Sequence, residues 1–286
     1  MADLLKGKPV ADAIDLKICE ETESLKEKGI IPALAVFRVG ERDDDLSYEK
    51  GIQKKCEKTG IRMISNVFPE NVSEEEFYQK LQEANKDPMI HGILVFRPLP
   101  GRFDDEVLRN SINPLKDIDG CSDLSLAGVF TGKSLGFAPC TAQAVMEILN
   151  YYGVPVEGNN VTVLGRSLVI GKPVSMLLVK QNATVTICHT RTRNAAQIAS
   201  KADILICSTG QMESITADYV NENQTVIDVG IGWNEEKQKL CGDVLFDQVE
   251  PYVKRITPVP GGVGSVTVSI LCQHVIEACI RSQKQE

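Results

Sequence analysis

The sequence predicts a two-domain α/β fold, and three observations carry that prediction. Helix-like and strand-like segments alternate along the chain, the alternation starts afresh near Thr141, and short Gly- or Pro-containing joints separate the segments. In the first domain Val10, Ile14, Ile18 and Leu25 recur at helical spacing until Gly29 stops the run. PALAVFRV (32–39) then reads as a buried strand, Leu46 to Lys58 as a helix ended by Gly60, and IRMISNVF (61–68) as a strand. SEEEFYQKLQEAN (73–85) reads as a helix capped by Ser73, and IHGILVF (90–96) as the next strand. In the second domain TAQAVMEILNYYG (141–153) is helical, and NVTVLG (160–165), TVTIC (184–188), DILIC (203–207) and TVIDVG (225–230) are apolar runs bounded by polar turns. SVTVSILCQHVIEACI (265–280) has the apolar content of a long packed helix and follows the last strand, so it is expected to return to the first domain. The predicted boundaries are therefore 1–140 completed by 265–286, and 141–264, with a cleft between the two domains.

Composition bounds the function. A 286-residue chain with 43% hydrophobic and 24% charged residues has the apolar material for packed cores. A formal net charge of -8 argues against a protein whose task is to coat nucleic-acid phosphates, which needs clustered Lys and Arg. The start MADLLKGKPVADAIDLK breaks its apolar stretches with Asp and Lys, leaving neither a secretory segment nor a membrane span, so a cytoplasmic protein is expected. The cysteines at 19, 56, 121, 140, 188, 207, 241, 272 and 279 form no C-x-x-C pair, and reduced, mostly buried thiols are expected. His91, His189 and His274 lie far apart and in no ligand motif, so no metal site is predicted.

The strongest chemical signal is a strand, a Gly-containing turn and a helix: NVTVLG runs into Gly165, Arg166, Ser167, Leu168, Val169, Ile170, Gly171, Lys172 and Pro173, followed by VSMLLVKQ. Such a turn brings backbone N–H groups and a positive helix end to a pyrophosphate, and the Cβ that would block the approach is missing at Gly165. The spacing departs from G-x-G-x-x-G, and alone it is equally a tight strand-to-helix joint. After the following strand an NAD-binding unit carries an acid for the ribose hydroxyls. This chain has His189, Thr190, Arg191, Thr192 and Arg193 instead, which suits a 2′-phosphate and favours NADP, with NAD the alternative. Arg191 and Arg193 read equally as solvated charges, and Arg166 as a pyrophosphate contact. The loop VIDVGIG puts Gly230 and Ile231 at a strand end where a nicotinamide ring could pack, or where the chain simply turns.

Taken together, GILVFRPLPG, NPLKDIDG, PCTAQAV, VLGRSLVIGKP, VIDVGI, GDV and TPVPGGVG stand in an order that resembles the methylenetetrahydrofolate dehydrogenase/methenyltetrahydrofolate cyclohydrolase family. The likeness runs from GKPVA near the start to the final helix. It implies an N-terminal folate domain completed by the C-terminal helix, a Rossmann-like domain for NAD(P), a homodimer, and a tetrahydrofolate derivative as substrate. By position Tyr48 resembles the tyrosine that stacks on the aminobenzoyl ring, and Asp119 the acid that holds the pterin. An aromatic face suits a flat ring, and a carboxylate accepts paired N–H groups. Pro260, Gly261 and Gly262 resemble the loop beside the folate, and Pro139, Cys140 and Thr141 a hinge and helix start. Arg97, Pro98 and Leu99, after the strand that ends at Phe96, complete the expected substrate contacts.

Two positions depart from the family pattern. Bifunctional members carry a lysine four residues after the tyrosine, where this chain has Ile52, and a Gln-Leu pair where this chain has Phe96 and Arg97. Hydride leaves a carbon flanked by two nitrogens whose lone pairs stabilise the product, so positioning carries that step. Hydrolysis of the methenyl product must instead activate water and move protons, which is work for Lys and Gln. The expectation is a dehydrogenase with weak or absent cyclohydrolase activity. A bifunctional enzyme, with Arg97 or Lys54 compensating, and a binding protein without catalysis are the alternatives.

Overall fold

A computed structural model describes residues 1–284. In chain order the elements are β1 (Asp3–Leu4), α1 (Gly7–Glu27), β2 (Ala33–Val39), α2 (Asp43–Thr59), β3 (Arg62–Phe68), α3 (Glu74–Lys86) and β4 (Gly92–Val95). Next come α4 (Asp105–Ser111), α5 (Asp123–Thr131), α6 (Cys140–Tyr151), β5 (Asn160–Leu164), α7 (Gly171–Lys180), β6 (Thr184–Cys188) and α8 (Ala195–Ala199). The chain ends with β7 (Ile204–Cys207), β8 (Thr225–Asp228), β9 (Gly232–Asn234), β10 (Lys239–Cys241), α9 (Phe246–Val249), β11 (Arg255–Ile256) and α10 (Gly264–Ser282).

The chain divides into two compact units, one of residues 13–140 with 268–286, the other of residues 1–12 with 141–267. The first unit is built on a parallel three-stranded sheet in the order β3-β2-β4. Every residue of β2 is buried, as a central parallel strand covered on both faces should be. One face packs Phe37, Phe68, Phe77, Phe103, Leu81 and Ile93 into an apolar cluster. The other meets α10, since a Cβ at Gly92 would lie 3.0 Å from side-chain atoms of Ile118 and Val275. Helix α2 begins three residues before the predicted Leu46, because Asp43, Asp44 and Asp45 place negative charge on its first turn. Ser73 caps α3 as predicted, its hydroxyl accepting from the Glu76 N–H at 3.1 Å.

The second unit holds a six-stranded sheet in the order β1-β11-β8-β7-β5-β6, with every pairing parallel. Chain order reverses beside β5, which lies between β6 and β7. Residues 1–12 belong here and not with the first domain as the sequence suggested. The reason is backbone pairing: Asp3 and Leu4 align with Arg255 and Ile256, the Leu5 N–H donates to Ile256 O at 2.8 Å, and Gly7 N–H donates to Gly261 O at 2.7 Å. A two-residue strand carries no periodicity by which to find it. Helices α4 and α5 and the β9–β10 hairpin also escaped the sequence reading.

Candidate active site

In the first unit the site residues gather where strands end, the usual place for ligands on a parallel sheet. Tyr48 sits on the second turn of α2, which follows β2, while Phe96 and Arg97 directly follow β4. Asp119 follows Asp117, whose backbone extends the sheet by a parallel bridge to Ile93. Buried Arg38 fixes α2 on this sheet, its Nε donating to Glu49 Oε2 at 2.7 Å while Ser65 Oγ donates to Glu49 Oε1 at 2.8 Å. Tyr48 is therefore presented from a clamped helix, with its side chain 40% exposed. Burial around the hydroxyl, and then the negative charge of Asp119, hold its phenol well above the usual tyrosine range, so it stays a neutral hydrogen-bonding group.

The two carboxylates of KDIDG have different fates. Asp117 is fully buried and satisfied, accepting from Cys121 N–H at 3.1 Å, Ser122 N–H at 2.8 Å and Ser125 Oγ at 2.7 Å. Asp119 keeps 34% of its side chain open and has Arg97 Nη2 at 3.6 Å. Burial pushes its carboxyl up to about 6, with Arg97 opposing and Asp117 adding to the shift. A carboxylate placed this way has lone pairs to offer a ligand. His274 is not part of this chemistry: burial takes its ring down to about 4, and Nδ1 lies 2.8 Å from Ile118 O.

Ile52 and Phe96 are both buried, at 0% and 5% exposure, and the Phe96 ring lies 5.4 Å from that of Tyr48. An apolar floor thus stands where the resemblance leads one to expect an ammonium and an amide. Lys50 and Lys54 are exposed. Lys55 shares the Tyr48–Ile52 face of α2, but its Nζ is taken by Asp15 Oδ2 at 2.7 Å and Ser269 Oγ at 3.0 Å. Pro98 is exposed, and Leu99 packs against the first unit's apolar cluster.

In the second unit a cavity of about 330 Å³ opens at the reversal point of the sheet, bounded by the turns after β5, β6 and β7. Gly165, Arg166, Ser167, His189 and Thr190 line it, with Ser208, Thr209, Gln211, Ser214 and Tyr219. Gly165 has φ +131°, and a Cβ there would lie 2.5 Å from Ser208 Oγ, so the turn needs glycine on both counts. Ser167 braces the turn by accepting from Ile170 N–H at 3.2 Å. Ile170, Arg191, Gly230 and Ile231 lie outside the cavity lining, and Arg191 and Arg193 are exposed. Gly230 instead abuts Asp243, whose carboxylate accepts from the Thr209 and Gly210 N–H groups and so shapes the cavity wall. The sequence reading missed the Ser208–Ser214 wall, although the polar STGQ after the apolar run DILIC is the same signal that marked Gly165. The loop Pro260, Gly261 and Gly262 follows the short β11 and belongs to this second unit.

Among the described residues no group of three or more His, Cys, Asp and Glu is placed to hold a metal ion, and no helix is long and apolar enough to cross a membrane.

A parallel sheet with a glycine turn and a cavity of mixed apolar and hydroxyl lining at its reversal point defines a Rossmann-type dinucleotide-binding unit, here joined to a second α/β unit with an aromatic and acidic site. The chain belongs to the tetrahydrofolate dehydrogenase/cyclohydrolase family: residues 5–119 match its catalytic domain and residues 139–283 its NAD(P)-binding domain. It is 49% identical over 285 residues to the bifunctional protein FolD of Clostridium kluyveri, covering 99% of this chain and 100% of that one. The crystal structure of the bifunctional FolD from Campylobacter jejuni superposes with TM-score 0.95 at 34% identity, over 98% of this chain and 99% of the other. The Trypanosoma brucei methylenetetrahydrofolate dehydrogenase-cyclohydrolase, crystallised with NADP and an inhibitor, gives TM-score 0.92 at 34% identity over 99% of both chains.

Proposed function

We propose that this protein oxidises 5,10-methylenetetrahydrofolate to 5,10-methenyltetrahydrofolate with NADP as the preferred hydride acceptor, and that it has little or no cyclohydrolase activity. The observation that carries the second part is the apolar pair Ile52 and Phe96 beside Tyr48, with no free lysine on that face of α2.

Tyr48 offers its ring face and a neutral hydroxyl to the substrate, and Asp119 accepts N–H groups of the pterin. Both act by position. The bound dinucleotide supplies the hydride acceptor, held by Gly165 and Ser167 at the pyrophosphate, with Thr190 and Arg191 toward the 2′-phosphate. The absence of a carboxylate in the His189–Arg193 turn, and the NADP carried by the Trypanosoma relative, support NADP over NAD. Ile52 and Phe96 exclude water from one wall of the site and offer no proton, which leaves the methenyl carbon intact. Arg97 does not replace the lost groups in this reading, because its guanidinium is engaged by Asp105 and Asp119 and has no acceptor lone pair with which to activate water.

The relatives named bifunctional favour a second reading, in which hydrolysis survives. Methenyltetrahydrofolate hydrolysis measured beside hydride transfer on one preparation decides between them. Hydrolysis at a rate comparable to hydride transfer overturns the proposal. A homodimer in the cytoplasm is part of the same reading, and sedimentation at micromolar concentration tests the dimer.

A further inference from the structure

Arg97 stands where the family resemblance leads one to expect leucine, and it occupies a distinct place among charges. Its Nη2 lies 3.6 Å from Asp119 Oδ2 and its Nη1 3.4 Å from Asp105 Oδ1. Asp105 is in turn held by Arg109 Nε at 3.2 Å, and Arg109 Nη1 by Asp123 at 2.7 Å. The result is an alternating string, Asp119, Arg97, Asp105, Arg109 and Asp123, that runs from the site onto α4 and α5. With its side chain 21% exposed, Arg97 has its guanidinium largely fixed between two carboxylates.

We propose that Arg97 is a positioning residue that holds the Asp119 carboxylate in its charged, acceptor-only form and aims it at the folate ring, using Asp105 as its own anchor. The inference rests on the reading that Asp119 binds the pterin, and extends it to a group outside the family pattern.

The surroundings of Asp119 show why such a residue is needed. Tyr48 from α2 offers a neutral phenol, Cys140 at the start of α6 is a neutral thiol in hydrogen-bonding reach, Cys121 is a half-buried neutral thiol, and Asp117 adds negative charge. Arg97, the only charged group among those that oppose it, works most strongly against the burial that pushes Asp119 up to about 6, and the Cys140 thiol adds a smaller hydrogen-bond contribution. A protonated Asp119 would present an O–H donor to a ring edge that is itself a donor. An opposite charge within 4–6 Å lowers a carboxyl pKa by about 1–3 units, so losing Arg97 moves the protonation of Asp119 into the neutral range.

The test is the pH dependence of KM for 5,10-methylenetetrahydrofolate in the whole enzyme, with Arg97→Leu, Arg97→Lys, Asp105→Asn and Asp119→Asn beside the parent. In the parent KM rises as pH falls through about 6. In Arg97→Leu the midpoint of that rise moves up by about one unit or more, while Arg97→Lys, which keeps the charge, returns most of the way. Asp105→Asn frees one end of the guanidinium and moves the midpoint part of the way up, by less than Arg97→Leu does, and a midpoint unmoved from the parent's overturns the anchoring role of Asp105. An Arg97→Leu midpoint equal to the parent's, with Asp119→Asn still raising KM at every pH, overturns the role of Arg97 and leaves the pterin assignment standing. An Asp119→Asn variant with parental KM overturns the pterin assignment itself, and the inference with it.

Discussion

Under the proposed function, placing Lys and Gln at positions 52 and 96 should raise methenyltetrahydrofolate hydrolysis. The perturbation is Ile52→Lys with Phe96→Gln, and its cost follows from burial. Ile52 is fully buried, so removing its side chain forfeits about 1.5–3 kcal/mol, reduced to the extent that the lysine stem covers the same surface. Phe96 is 5% exposed and lies against Tyr48, and losing that ring pair costs a further 0.5–1.5 kcal/mol or so. The sum, about 2–4.5 kcal/mol, is a substantial part of the ~5–15 kcal/mol that holds an ordinary domain, so the variant folds but melts earlier. Against that cost, a positioned proton-transfer group raises the hydrolytic rate by about 100- to 10,000-fold. The assay follows loss of methenyl absorbance in parent, single and double variants, with hydride transfer on the same samples as proof of an intact site. A double variant that is folded and transfers hydride but hydrolyses no faster than the parent would refute the assignment of these two positions.

Three further outcomes follow from the geometry. Gly165→Ala places a Cβ against Ser208 at φ +131°, and strain of about 1–3 kcal/mol should appear both as lowered stability and as a raised KM for the dinucleotide, read by denaturant melts and initial rates. Arg191→Glu should raise KM for NADP by about 10- to 100-fold, the value of one charge-assisted hydrogen bond, and change KM for NAD far less. His274 is lowered by burial from 6.5 to about 4, so the unfolded chain binds its proton first as pH falls. Its contribution, about 2–4 kcal/mol, is intact above pH 6.5 and lost between there and about 4, and His274→Gln should flatten that limb of a denaturant-midpoint against pH curve.

Strands and helices of ordinary length were legible because each carries its own pattern. PALAVFRV is apolar but for Arg38, as β2 should be when both faces are covered, and Ser73 announced α3 as the acceptor for its first free N–H groups. β1 and β11, each two residues long, were not legible, since their existence depends on pairing across some 250 positions of sequence. Among the candidate site residues Gly165 could be read as a turn that tolerates no side chain, and Asp119 was singled out by a specific motif. The motif did not reveal that its neighbour Asp117 is consumed by the Cys121–Ser125 turn, which only the folded backbone shows. The Arg97 bridge was equally out of reach: its partner Asp105 lies on α4, a seven-residue helix with too few turns to display a period.

The stoichiometry of one coupled reaction bears most directly on this account. Enzyme, 5,10-methylenetetrahydrofolate and excess NADP are mixed at a pH where methenyltetrahydrofolate is slow to hydrolyse unaided, and reduced cofactor and methenyl product are followed together. Accumulation of one methenyltetrahydrofolate for each cofactor reduced is the predicted result. Formyltetrahydrofolate appearing in step with reduced cofactor, with methenyltetrahydrofolate held at a low steady level, would contradict it.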